Sequence, residues 1–279
     1  MRPSRAIALA LLSALACGRV DYQGSSVSDA SPNPDGPSAD GDVQPARVDR
    51  GLVVRYPLSD LGATVSSVGP ESLSLTVTNE GGLQTVSPAT GSGWRFTAAG
   101  AGDRACAPVS GSMLESLNGS TTGSIEVVVD IRSGVDSRSR LIDIGDNGDW
   151  SFSLGYSQID TSIVFSFDQS GIDFGVWLDD LSTRGRAVLT AVFDSSEASA
   201  DNRISLYIDG DRQGAPMRAQ DIGLNQPIAF GGTEQLCIGN RNIGARTPDG
   251  DILYAAYYQS ALTPAEVAQN AEALLAFDD

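Results

Sequence analysis

The sequence predicts an all-β domain, an antiparallel sandwich of two sheets closed by one short helix. Three observations predict it. From residue 51 onward, short runs of alternating apolar and polar residues recur. Turns rich in Gly, Asp and Asn separate them, and a helical period occurs at the C-terminal end alone. No internal repeat of fixed period is visible.

Taken in order, the strand-like runs are Leu52 to Pro57, Ser72 to Thr78, Trp94 to Thr97, Ser124 to Arg132, Arg140 to Gly145 and Ser151 to Tyr156. They continue with Ser162 to Asp168, Phe174 to Leu178, Ala187 to Asp194, Arg203 to Ile208, Gln235 to Gly239 and Asp251 to Tyr258. The clearest is Ser124 to Arg132. Ile125, Val127, Val129 and Ile131 share one face, and Glu126, Val128, Asp130 and Arg132 the other, because side chains flip at every residue of a strand. Asp146-Asn147-Gly148-Asp149, Gln169-Ser170-Gly171 and Asp209-Gly210-Asp211 are the turns between neighbours. The helix begins at Thr263 as cap, with Pro264 in its first turn and Glu266 completing a capping box. Val267, Ala271, Leu274 and Leu275 give it an apolar stripe.

Ahead of this domain lie a leader and a tether. Arg2 and Arg5 precede an apolar run, Ala6 to Ala16, too short to span a bilayer. Ala14 and Ala16 then place small residues before Cys17, the pattern a lipoprotein signal peptidase reads. Residues 1–16 are therefore expected as a cleaved leader and Cys17 as the lipidated N-terminus. Residues 17–50, rich in Ser, Asp, Pro and Gly, cannot bury enough surface to offset their chain entropy, so they read as a disordered tether with a reach of roughly 30 Å. The expected location is exported and membrane-anchored through acyl chains. Gly18, in place of Asp, points to the outer membrane or cell surface. Residues 51–279 make one domain.

With Cys17 acylated, Cys106 and Cys237 remain as an even pair in an oxidising compartment. They form either a disulfide or two buried thiols. The chain carries 35 acidic and 18 basic residues, a net −17, and losing Arg2 and Arg5 takes this to about −19. A surface so acidic repels phosphate backbones, which argues against nucleic acid as a partner. Every basic residue is Arg, and His is absent. That excludes a Ser-His-Asp triad, a Cys-His dyad and a His-ligated zinc.

Several segments resemble a known family. Gly51-Leu52-Val53-Val54-Arg55-Tyr56-Pro57-Leu58 resembles its opening strand, and Arg186 to Gly210 its central hairpin. The end is most specific: Leu236-Cys237-Ile238-Gly239-Asn240, then Gly250-Asp251-Ile252 to Tyr258, then Ala261-Leu262-Thr263-Pro264-Ala265-Glu266. The order is similar to a laminin-G-like, concanavalin A-like lectin-glucanase jelly roll of bacterial surface lipoproteins, over residues 51–279. The resemblance implies sugar or protein binding on a sheet face or at a loop rim. It also implies an acidic residue after Gly250-x-Ile252, often tied to structural Ca2+; here that position is Leu253. No cofactor is expected beyond such a cation. Its candidate ligands are Asp143, Asp146, Asn147 and Asp149, which also suit a hairpin turn, with Asp60.

Hydrolases of this fold carry Glu-x-Asp-x-x-Glu along one strand, and the string does not occur. Glu126 and Asp130 come nearest, but four residues along a strand separate their Cα atoms by about 13 Å, and their face reads as solvated. Catalysis is not expected. Ligand-binding candidates are Trp150, Tyr156 and Trp177 as aromatic platforms, with Arg241, Asn242 and Arg246 in a polar loop suited to acidic sugars. Each aromatic also suits the core, the commoner place for such a side chain. The expected function is non-catalytic recognition of a polysaccharide or an envelope or extracellular protein. The alternatives are an assembly partner within the envelope without glycan binding, and a glycan-active hydrolase of the same fold.

Overall fold

A computed structural model describes residues 46–86, 92–97, 101–132, 138–146, 149–157, 159–167, 173–219 and 222–276. Residues 1–45, which take in the expected leader, Cys17 and most of the expected tether, lie outside the described residues. Two antiparallel sheets face each other, as the sequence predicts.

In chain order the strands are β1 (Leu52–Pro57), β2 (Thr64–Ser66), β3 (Ser74–Thr78), β4 (Gln84–Thr85), β5 (Trp94–Phe96) and β6 (Arg104–Pro108). After a short helix, α1 (Gly111–Leu117), come β7 (Thr122–Ile131), β8 (Ser139–Asp146), β9 (Asp149–Ser157), β10 (Ser162–Phe167) and β11 (Asp173–Leu178). The chain continues through β12 (Arg186–Asp194), β13 (Ile204–Ile208), β14 (Asp211–Arg212), β15 (Arg218–Ala219), β16 (Gln235–Ile238) and β17 (Gly250–Tyr258) to helix α2 (Pro264–Leu275). The first sheet runs β14-β13-β12-β7-β17. The outer edge of β17 is shared by β1, paired along Tyr254–Tyr258, and β5, paired at Gly250–Ile252, with β4 beyond. The second sheet runs β15-β11-β10-β9-β8-β16-β6-β3-β2.

Large apolar side chains on the two inner faces fill the core. Phe167 of the second sheet stacks on Phe193 of the first, centroids 4.4 Å apart, and Phe152 meets Tyr257 at 5.8 Å. Such contacts add to the burial of each ring and fix how the sheets register. Cys106 and Cys237 sit directly opposite each other on β6 and β16 and form a disulfide. At Gly239, φ is +78° and a Cβ would run into the Phe96 ring, so this turn admits glycine.

The alternation read along β7 is half right. Ile125, Val127, Val129 and Ile131 do face the core. The opposite face is not solvated, however. Val128, Leu253, Tyr254, Ala256 and Tyr258 form a second apolar layer with Leu262, Val267, Ala271 and Leu274 around α2. Both middle strands, β7 and β17, are thus covered on both sides. α2 carries the expected capping box: Thr263 Oγ1 accepts from Glu266 N, and Glu266 Oε2 accepts from Thr263 N at 2.7 Å. Residues 46–50, read from sequence as tether, are held against this helix. Val48 N donates to Asn270 Oδ1 at 2.7 Å, and Arg50 pairs with Glu266 through two 2.6 Å bonds.

Candidate functional site

The residues singled out from sequence fall into separate places. Tyr156 is a core residue, 2 % exposed, because its strand position faces inward between the sheets. Its hydroxyl reaches Asp180 Oδ1 at 3.4 Å, and burial together with that carboxylate pushes it up to about 12. It offers no platform to a ligand. Trp177 is also inward, 5 % exposed, with Nε1 donating to Gly214 O at 2.9 Å. Trp94 is fully buried. Trp150 and Asp149 belong to β9 by backbone; their side chains, and Asn147, lie outside the described residues.

Of the acidic turn, the described side chains are Asp143 and Asp146, and each is taken by its own partner. Asp143 is buried on the outer face of the second sheet, 3.7 Å from Arg140 and accepting from Ser153 Oγ. Burial pushes its carboxyl up, while Arg140, Ser153 and Arg241 oppose that rise. Asp146 accepts from Thr233 Oγ1 at 2.6 Å, and Asp60 is exposed, its main-chain carbonyl taken by Trp94 Nε1. Among the described residues no three His, Cys, Asp or Glu side chains converge on a common point. Leu253, where the family resemblance wants an acid, is 1 % exposed within the layer around α2.

Arg241, Asn242 and Arg246 lie together in one loop, ordered by a residue the sequence reading passed over. Asn240 is fully buried: its Oδ1 accepts from Arg241 N and Arg246 N, and its Nδ2 donates to Ala101 O and Thr247 Oγ1. Arg241 Nε turns back to Gly244 O at 2.8 Å, and Arg140 N donates to Arg246 O. Such a knot fixes the loop; Arg241 braces the main chain and, through its charge, Asp143. An Asn after the Gly of a strand end was the available signal, since a short amide can satisfy several turn groups at once.

The open surface lies elsewhere, at the β13–β14 side of the sandwich. There three grooves adjoin. One, of about 290 Å³, is bounded by Val192, Asp194, Glu197, Tyr207 and the Ala261–Pro264 segment. It shares Asn202, Ser205 and Arg212 with a second of about 340 Å³, which continues to Gln213 and Gly214. The third, about 260 Å³, passes from Gly214 to Trp177, Leu178 and Met217 at the edge of the second sheet. Arg212 stands at the middle of this furrow. Its Nη2 donates to Asn202 Oδ1 and Ser205 Oγ at 3.0 Å each, and among the described residues no carboxylate lies within ion-pair distance. A guanidinium held by neutral groups keeps its charge available to a ligand. Trp177, chosen as a platform, meets the third groove with a ring that is otherwise buried.

A second notable cluster is buried. Glu126, on the covered face of β7, is wholly inaccessible. Tyr258 Oη donates to it at 3.0 Å, with Thr190 Oγ1 and Asn270 Nδ2 each at 3.4 Å. Burial lifts its carboxyl to about 7 against these bonds and the charge of Arg47. Arg47 itself lies 5.0 Å over the Tyr254 ring. Asp130, its strand neighbour, lies apart, raised by partial burial and by Asp251.

No family model matches the chain, and no curated protein matches it. Solved structures do. A Trypanosoma rangeli sialidase in complex with sialic acid superposes with a TM-score of 0.55 at 17% identity, over 81% of this chain and 33% of that one. The binding domain of botulinum neurotoxin DC, in complex with rat synaptotagmin II, gives 0.57 at 12% identity, over 80% and 52%. A botulinum neurotoxin type C structure, described as interacting with two ganglioside molecules, gives 0.56 at 13% identity, over 80% and 51%. The chain spans about a third of the sialidase and about half of the toxin structures. The likeness establishes a shared β-sandwich fold.

Proposed function

We propose that this chain is a non-catalytic recognition module, held at a bacterial membrane through acylated Cys17, that binds a saccharide along the furrow at Arg212. One observation carries the reading: an exposed arginine, fixed by an amide and a hydroxyl and free of carboxylate pairing among the described residues, sits at the centre of an open groove. Hydroxyl-rich ligands are recognised by such convergent donors and acceptors, and a sugar carboxylate would meet the guanidinium fork directly. The proteins that share this fold over part of their length include a sialidase solved with sialic acid and a neurotoxin described with gangliosides, which supports a glycan as the ligand class. Glu126 cannot take part in a carboxyl pair across a cleft, since it is sealed beneath α2.

The test is a glycan array probed with the protein and with Arg212→Ala, each with Ca2+ and with chelator. Saturable binding to one glycan class is expected, weakened roughly 10- to 100-fold in the variant, the worth of hydrogen bonds to a charged group. Binding unchanged in Arg212→Ala refutes the furrow as the site. Loss of binding in chelator would assign a cation to it. A protein partner is the second reading, favoured by Leu178 and Met217, 60 % and 49 % exposed on the wall of the third groove. A blank array with capture of a defined envelope protein supports that reading. Cys17→Ser, followed by labelled fatty-acid incorporation, tests the anchor: label retained in the variant refutes it.

A further inference from the structure

We propose that residues 46–50 form a releasable strap whose grip on the domain is set by the charge of Glu126, firm when that carboxyl is ionised and slack when it is protonated. The geometry carries this independently of the ligand reading. The strap has two kinds of attachment to the body. At its surface it is pinned by Arg50 to Glu266 and to Ala261 O, by Ser260 Oγ to Arg50 O, by Arg55 to Asp49 and by Gln269 to Ala46 O. At its middle it is tied to the buried cluster. Asn270 accepts from Val48 N through Oδ1 and donates to Glu126 through Nδ2, so one amide joins strap to carboxylate. Arg47 places its cation over Tyr254, where its field reaches Glu126.

Ionised Glu126 strengthens both contacts; protonated, it keeps a weaker neutral acceptor for Asn270 and loses its pull on Arg47. With the carboxyl neutral, Arg47 is a half-buried cation whose Nη1 is shielded from water and has no hydrogen-bond partner among the described residues. A cation so placed is better hydrated outside, and the strap that carries it would lift. The groups facing Glu126 are Tyr254 and Tyr258 from β17, Thr190 from β12, Asn270 from α2 and Arg47 from the strap, with Arg55 of β1 acting on Tyr254. Burial holds both tyrosines above their ordinary range, and Arg50 holds Glu266 at about 2. Neither kind of group therefore changes charge near neutrality. The chain has no histidine to do so in their place. Glu126, held near 7, is the group in this seam that does. Lifting five residues would lengthen the connection between domain and N-terminal stretch by about 17 Å.

The test is hydrogen exchange of the Val48 amide in the whole protein from pH 5 to 8.5, expressed as protection after correction for intrinsic exchange. Protection is expected to fall at least tenfold toward pH 5, while the amides of β17 keep theirs. Glu126→Gln should abolish the dependence, and Arg47→Gln, which leaves the Asn270 link in place, should at least halve it. Arg50→Ala should lower protection at every pH and leave the midpoint where it was. A flat profile in the unaltered protein overturns the proposal, as does full dependence in either Gln variant. A midpoint moved by Arg50→Ala would assign the effect to Glu266 and overturn it too. Should Glu126→Gln fail to fold, Arg47→Gln decides alone, since Arg47 lies at the surface end of the cluster.

Discussion

Replacing Glu126 by Gln should stabilise the protein at alkaline pH and leave it little changed in acid. Lifting a carboxyl from its ordinary 4.5 to about 7 means that ionising it is about 3 kcal/mol harder in the folded chain than in the unfolded one. The folded-state value is raised, so the favourable contribution of the protonated group is complete below about 4.5 and is lost as pH climbs through about 7. Above that, a carboxylate is carried in a seam with three hydrogen bonds and one nearby cation. Glutamine keeps the shape, accepts from Tyr258 and never ionises. Urea unfolding of both proteins at intervals from pH 4 to 8.5, with the disulfide intact, gives the difference in stability at each pH. That difference should grow by about 3 kcal/mol across the window, steepest between 4.5 and 7. Because the chain has no histidine, few other side chains contribute there, and those common to both proteins cancel. A difference that stays flat with pH refutes the assignment. One that grows in the opposite sense would mean that Arg47 and the hydrogen bonds outweigh burial.

Other consequences are open to direct measurement. Removing the Cys106–Cys237 bond with paired Ala substitutions frees a loop of 131 residues, for which chain entropy alone gives about 5 kcal/mol; a urea-derived loss under 1 kcal/mol would contradict that account. Thr263→Ala removes one half of the capping box and should cost about 1 kcal/mol, seen as a lower Tm. Gly239→Ala should be far more damaging than a surface change. It forces a Cβ into the Phe96 ring at positive φ, and soluble yield with unchanged near-UV circular dichroism would count against this.

What the sequence made legible followed the strength of local pattern. The hairpin of β12 and β13 carries β-branched and aromatic residues at every second position with Asp209-Gly210 after it, and α2 carries its own start signal. β6 was missed because its inward residues are Ala105 and Ala107, too small to register as an apolar alternation. α1 was missed because seven residues with no side-chain cap make no period. The solvated reading of Glu126 failed for a different reason. A strand's own sequence says which residues share a face, but α2, more than a hundred residues later, decides whether that face is wet. The run Val127-Val128-Val129 was the available hint, since strands buried on both sides lose their alternation. The furrow at Arg212 was invisible for the same cause: its walls come from β12, β13, the Gln213–Pro216 loop and the segment before α2, which topology alone assembles.

The place of β17 in the first sheet bears on how the protein is made. The strand lies between β7 and the β1–β5 edge, yet among the described residues it follows the other strands in the chain. β1 waits some two hundred residues for its partner. Until β17 arrives, neither half of that sheet has a neighbour on its open side, and the cost of closing so long a loop falls at the end of assembly. A chain still lacking β17 would thus stay pliable, and set into a sandwich only once that strand and the helix after it were free to pack.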